Sequence, residues 1–108
     1  MASLADRLAA RTLELVDIPS ESLHEAEIRA HVRSLVPPGW SAETELEDAA
    51  LYAPPRREGV PFVVLAGHYD TVPAQENLPG RVDDGVVWGL GSTDMKGGLA
   101  VALELVRD

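Results

Sequence analysis

Two short clusters of polar residues in the second half of the sequence carry side chains that could do chemistry. In the first, His68 and Asp70 follow an apolar run at residues 62–66. If that run is a strand, their two side chains point to the same side of its end. An imidazole and a carboxylate placed in this way can act as a metal ligand and the group that orients it. The competing interpretation is a purely structural pair.

The second cluster surrounds Asp94 in the segment Gly-Leu-Gly-Ser-Thr-Asp-Met-Lys-Gly-Gly at residues 89–98. Its beginning is similar to a dinucleotide-binding loop, but Asp94 occupies the position of the third glycine, and the Gly-Lys-Ser/Thr of a phosphate loop is absent. A carboxylate would repel a phosphate, so the segment favours a cation ligand over nucleotide binding. The alternative is that Asp94 caps the helix that follows.

The composition restricts the sites and partners that are compatible with this chain. Eighteen acidic residues against nine basic ones give a net charge of −9, which disfavours nucleic acid and anionic membranes as partners. Because there is no cysteine, any metal must be held by His, Asp and Glu. The sequence shows neither a secretory signal nor an apolar run long enough to span a membrane, so we expect a cytoplasmic protein.

Apolar residues at helical spacing predict three helices. The first covers residues 4–16, with Ser3 as its cap. The second opens with a capping box at residues 22–25 and stops at residues 37–39. The third covers residues 99–106. The residues expected on the buried face of the second helix are Ile28, Val32, Leu35 and Val36.

Four further segments have the patterns of strands. Alternation over residues 40–47 predicts a half-exposed strand, and residues 51–53 and 86–88 predict short ones. Residues 62–66 are apolar on both faces, which is typical of a central strand covered by helices. This order predicts the opening of an α/β domain with three αβα layers. Since a central strand needs neighbours, we expect residues 1–108 to be the truncated N-terminal portion of a single catalytic domain.

Together the two clusters, Gly-His-Tyr-Asp-Thr-Val-Pro at residues 67–73 and the segment at residues 89–98, resemble a known family. It is the zinc metallopeptidase family of aminoacylases, acetylornithine deacetylases and glutamate carboxypeptidases. The resemblance implies a zinc-exopeptidase-like αβα fold and hydrolysis of an amide bond in a small acylated amino acid. It also implies two zinc ions per complete site, with cobalt or manganese as alternatives, and a homodimer at full length.

The same resemblance assigns roles to three residues of this chain. His68 ligates one metal ion, Asp94 bridges both, and Asp70 is a catalytic residue behind His68. A cis peptide bond is implied after Asp94. The family's general base comes from an adjacent Glu-Glu pair, which does not occur in this sequence, so the base and the remaining metal ligands are not identified here. His24 and His31 are interpreted as surface residues.

Within this family, residues 70–73 followed by Asn77-Leu78-Pro79 most resemble the succinyl-diaminopimelate desuccinylases of lysine biosynthesis. The resemblance implies hydrolysis of N-succinyl-LL-2,6-diaminopimelate to succinate and LL-2,6-diaminopimelate. Acetylornithine deacetylase or another acyl-amino-acid hydrolase or carboxypeptidase is the alternative. An interpretation of a different class is a non-catalytic fragment with half a metal site. On either interpretation, we expect the 108-residue chain alone to be inactive.

Overall fold

A computed structural model describes residues 2–108 of the chain. The elements follow in the order α1 (Leu4–Val16), α2 (Ala26–Leu35), β1 (Ser41–Glu45), β2 (Ala50–Ala53), β3 (Arg81–Asp83), β4 (Val86–Trp88), a kinked turn (Ser92–Lys96) and α3 (Gly97–Arg107). The predicted mixture of helices and strands is confirmed. Across the described residues, each helix is too short or too polar to cross a bilayer.

Helix α1 forms over the predicted residues and anchors the apolar core. Ser3 Oγ accepts a hydrogen bond from the Asp6 backbone N–H at 3.1 Å, and the Asp6 carboxylate accepts one from the Ser3 N–H at 3.2 Å. The two residues therefore form a capping box that fixes the start of the helix. Leu15 of α1 is fully buried in a cluster with residues of α2 and α3. The buried core residues are Leu15, Ile28, Val32, Leu35, Ala100 and Leu103.

A charged network joins the same three helices at the rim of this core. Arg11 donates hydrogen bonds to Glu104 at 2.9 Å and to Glu14 at 2.6 Å. His31 Nε2 lies 2.7 Å from the Glu14 carboxylate. Burial raises the pKa of Glu14, but the hydrogen bonds from His31 and Arg11 outweigh this effect and lower it. His31, which we interpreted as a surface residue, is thus half-buried and paired with α1.

Helix α2 corrects one prediction from the sequence. The capping box expected at residues 22–25 does not form, and the helix begins at Ala26 without a side-chain cap. The Glu25 carboxylate accepts a hydrogen bond from the Leu23 N–H, while the Ser22 hydroxyl donates to Asp70, 48 residues away. The prediction was wrong because the Ser22 side chain contacts Asp70 and not the N–H groups at the start of α2.

The strands form two separate antiparallel hairpins. Strand β1 pairs with β2, and β3 pairs with β4. Both faces of β1 are exposed, so the predicted half-burial of this strand is wrong. Strand β3 was not predicted, although the Asp84-Gly85 turn that joins it to β4 is a typical hairpin signal.

The segment at residues 62–66 differs most from its prediction as a buried central strand. It forms no strand, and the side chains of Phe62 and Val63 are 68% and 76% exposed. A strand requires partners for its backbone N–H and C=O groups. Neither hairpin of residues 2–108 pairs with this segment, so the three-layer arrangement is not formed among the described residues.

Leu15→Ala tests the burial at the centre of the helical core. We expect it to lower the free energy of unfolding by about 3 kcal/mol, because it removes buried methyl groups and leaves a cavity. Urea denaturation followed by circular dichroism measures this change. Leu105→Ala is the matched control, since Leu105 is 62% exposed on α3, and should change the value by less than about 0.5 kcal/mol. Equal losses in the two variants would contradict the described core.

Candidate metal centre

The segment that carries His68 and Asp70 is held in place by the loop between α1 and α2. The Thr71 N–H donates to the Ser20 carbonyl at 2.9 Å, and the Ser22 N–H donates to the Thr71 carbonyl at 3.0 Å. These two bonds form a short parallel bridge. The segment that follows the predicted strand is therefore positioned by backbone pairing, although residues 62–66 are not in a sheet.

The loop that carries Asp94 is fastened to α1 by a buried lysine. The side chain of Lys96 is 1% exposed, and its Nζ donates to the carbonyls of Leu15 at 2.7 Å and Ile18 at 3.0 Å. Burial lowers the pKa of Lys96 to about 8, and the negative charge of Asp17 acts in the opposite direction. The peptide bond between Asp94 and the next residue is cis, as the family resemblance implies.

The imidazole of His68 lies between two carboxylates. Its Nε2 is 2.9 Å from Asp94 Oδ1, and its Nδ1 is 3.1 Å from Asp70 Oδ1. The slight burial of the ring lowers the pKa of His68, but the hydrogen bond with Asp94 and contacts with Asp70 outweigh it, so the pKa is raised. The structure thus brings together the three site residues that the sequence analysis selected.

A hydroxyl group that the sequence analysis did not select completes this chain of contacts. Ser22 Oγ donates a hydrogen bond of 2.5 Å to Asp70 Oδ2. This bond is the largest cause of the lowered pKa of Asp70, and the positive charge of His68 acts in the same direction. Nothing in the local sequence links Ser22 to Asp70, because its surroundings have the pattern of a helix cap.

The side chains around His68 have donor atoms of the types that zinc prefers. An imidazole nitrogen and a carboxylate oxygen meet at the edge of an open cavity of about 370 Å³, and the other imidazole nitrogen is held by a carboxylate, as is usual behind a metal-bound histidine. Within residues 2–108, no group of three or more His, Cys, Asp and Glu side chains could hold a metal ion. The described residues therefore fit part of a metal site.

Comparison with known proteins identifies the class to which these clusters belong. Residues 64–108 match the model of Peptidase family M20/M25/M40, and the matched region contains His68, Asp70 and Asp94. The chain is 45% identical over 96 residues to the succinyl-diaminopimelate desuccinylase of Corynebacterium glutamicum. This alignment covers 85% of this chain and 26% of that protein.

Two further relatives align over most of the chain. The putative succinyl-diaminopimelate desuccinylase DapE of Mycobacterium tuberculosis is 40% identical over 95 residues, covering 87% of this chain and 27% of the relative. The LysW-lysine hydrolase of Deinococcus radiodurans is 37% identical over 113 residues, covering 98% of this chain and 29% of the relative. The names of these relatives are those of hydrolases. The family match and these relatives confirm the resemblance, and the chain spans about a quarter of the length of these relatives.

Gly91→Ala tests the close approach of the two segments of the site. Gly91 has a φ of +76°, and a Cβ added there would lie 2.6 Å from Thr71 Cγ2. Gly85 is the matched control, because its φ is +75° and a Cβ there would meet no atom within 4 Å. We expect Gly85→Ala to cost about 1 kcal/mol of stability from its left-handed backbone. Gly91→Ala should cost a further 1–3 kcal/mol, roughly, from the clash.

Urea denaturation of the two variants measures this difference in the free energy of unfolding. Equal values for Gly91→Ala and Gly85→Ala would show that Thr71 does not pack against the loop as described.

Proposed function

We propose that the complete protein containing this chain is a metal-dependent amide hydrolase that acts on N-succinyl-LL-2,6-diaminopimelate. The products would be succinate and LL-2,6-diaminopimelate. The observation that carries the proposal is the His68 imidazole held between Asp70 and Asp94, with its Nε2 2.9 Å from the Asp94 carboxylate. The names of two relatives that align over more than four-fifths of this chain support the choice of substrate.

In this proposal, His68 Nε2 and the Asp94 carboxylate would hold the metal, with Asp94 in the bridging role that the family resemblance implies. Zinc is the metal we propose, with cobalt or manganese as alternatives. When bound, zinc lowers the pKa of a water molecule to about 7 and polarises a carbonyl oxygen. The 87% exposure of the Asp94 side chain leaves its carboxylate open to ions and to substrate at the cavity.

Asp70 sets the orientation and the tautomer of the histidine. When Nδ1 of His68 carries the ring proton, it donates a hydrogen bond to Asp70, whose carboxylate Oδ1 is 3.1 Å and whose backbone carbonyl is 3.3 Å away. Nε2, on the side of Asp94, then keeps its lone pair for a metal ion. The negative charge of Asp70 also makes the imidazole a stronger electron-pair donor to a metal ion. The proposal places the general base, a glutamate of an adjacent Glu-Glu pair, outside these 108 residues, because this sequence has no such pair.

A second candidate substrate follows from the relative in Deinococcus radiodurans. The name of that protein is LysW-lysine hydrolase, and it aligns with 98% of this chain at 37% identity. The same metal ligands and the same attack of water on an amide would serve either substrate. The candidates therefore differ in how they recognise the groups around the scissile bond, and acetylornithine remains a third substrate to compare.

The architecture of the complete protein is also part of the proposal. We propose that residues 62–66 become the central strand of a three-layer αβα domain when further strands pair with them, since their apolar side chains are exposed in this chain. A homodimer is proposed with it, as the family resemblance implies, and a cytoplasmic location is proposed from the sequence.

Hydrolysis of N-succinyl-LL-2,6-diaminopimelate by the complete protein in the presence of zinc tests the proposal. We expect turnover of this substrate at a kcat/KM at least about 100-fold above that for N-acetylornithine or a LysW-lysine conjugate. Such a ratio corresponds to about 2.7 kcal/mol of difference in transition-state binding. Preference for either competitor would overturn the substrate assignment and leave the amide hydrolase intact.

His68→Ala and Asp94→Ala should each reduce kcat/KM by more than about 100-fold and lower the zinc content of the purified protein. Mutation of a residue behind a metal ligand already lowers metal affinity or activity by roughly 10- to 100-fold, so loss of a direct ligand is expected to have a larger effect. His24→Ala removes an exposed imidazole that makes no side-chain contact with the site, and it should match the wild type. Full zinc content in both ligand variants would contradict the proposed centre.

A further inference from the structure

We propose that Ser22 is a positioning residue, which fixes the Asp70 carboxylate and through it the His68 imidazole. The inference rests on the proposed function, because it assigns Ser22 to the metal ligand named there. Its evidence is the hydrogen bond of 2.5 Å from Ser22 Oγ to Asp70 Oδ2. No family pattern in the sequence analysis selected this serine for the site.

The contacts of the Asp70 carboxylate show how the positioning works. One oxygen, Oδ2, accepts from Ser22, and the other, Oδ1, lies 3.1 Å from His68 Nδ1. With both oxygens engaged from different sides, the carboxylate cannot rotate about its Cβ–Cγ bond without breaking one contact. His68 Nδ1 also lies 3.3 Å from the Asp70 backbone carbonyl. The imidazole is therefore held by the Asp70 backbone and by a carboxylate whose rotation the Ser22 hydroxyl restricts.

The position of the hydroxyl is fixed by the backbone on both sides of the contact. The Ser22 N–H donates to the Thr71 carbonyl at 3.0 Å, and the Thr71 N–H donates to the Ser20 carbonyl at 2.9 Å. Thr71 is the residue next to Asp70. Serine and aspartate are thus carried by two directly paired segments, so their side chains meet without a long flexible connection.

The local backbone also turns Ser22 away from the role that its neighbours suggest. Leu23 has a φ of +74°, which is uncommon for a residue other than glycine, and its side chain is 87% exposed. Helix α2 has no side-chain cap, and Glu25 bonds to the Leu23 N–H instead. The chain thus forgoes a stabilising capping interaction while its serine contacts Asp70.

Ser22→Ala in the complete protein removes the hydroxyl and leaves the backbone bridge. We expect the dissociation constant for zinc to rise roughly 5- to 10-fold, which is at or below the lower end of the effect of a direct partner of a metal ligand. We also expect kcat to fall by a similar factor with KM unchanged. Competition with a chromophoric chelator measures the zinc affinity. The melting temperature of the metal-free protein should not change, which separates positioning from a loss of folding.

Three further variants sharpen the test. Ser22→Thr keeps the hydroxyl and should restore the affinity to within about twofold of the wild type. Ser22 Oγ also lies 3.3 Å from the Thr71 carbonyl. Ser34→Ala is the matched control, because Ser34 Oγ likewise donates to a backbone carbonyl, that of His31, on an exposed part of α2. It should leave zinc binding unchanged. Ser22→Cys, a weaker donor of similar size, replaces the alanine variant if that protein does not fold, with a loss in the same direction.

A double-mutant cycle tests whether Ser22 acts through Asp70. In the Asp70→Asn background, Ser22→Ala should have no additional effect on zinc affinity, since the carboxylate it orients is gone. An equal loss in both backgrounds would overturn the proposal, as would wild-type affinity of Ser22→Ala or failure of Ser22→Thr to restore binding. If the wild-type protein itself bound no zinc, the proposed function would fall together with this inference. A failure of Ser22 alone would leave the function standing.

Discussion

The position of the candidate site depends on the ammonium group of Lys96. It is buried and donates to the carbonyl of Leu15, in the last turn of α1, and to that of Ile18, two residues beyond the helix. Carbonyls at the end of a helix lack intrahelical partners and carry partial negative charge, so they can satisfy a buried cation. Because Lys96 follows Asp94 by two residues, the same contact joins the exposed carboxylate to the helical core. The exposed carboxylate of Asp94 is thus held in position by the buried ammonium group of Lys96.

The features that could be predicted from the sequence are those stabilised by near neighbours. Helix α1 was predicted because its cap at Ser3 and its apolar spacing are both local, and strand β4 was predicted from its apolar residues. Residues 62–66 show the opposite case, because their pattern describes an environment that must be supplied by other strands. Where those strands do not pair with the segment, the pattern is present and the strand is not.

Part of the site could also be predicted from the sequence, and part could not. The choice of His68, Asp70 and Asp94 came from two clusters whose combined resemblance was specific, and the structure places them in contact. Ser22 could not be predicted, because its contact with Asp70 joins residues 48 positions apart and its own surroundings indicate a helix cap. A local pattern predicts a near partner for a hydroxyl, whereas the folded chain brings Ser22 to a carboxylate 48 residues away. A hydrogen bond to a charged acceptor is stronger than one between neutral groups.

The exposed apolar segment has a consequence for how the isolated chain behaves in solution. Phe62, Val63, Val64 and Leu65 are adjacent, uncharged and at least half exposed, and they include none of the proline or lysine residues that usually protect an unpaired strand. Such a segment can add to an identical one in another molecule by β-pairing, which is the first step of aggregation. Only two residues separate this segment from His68, so aggregation would obstruct the site even if its own contacts stayed intact.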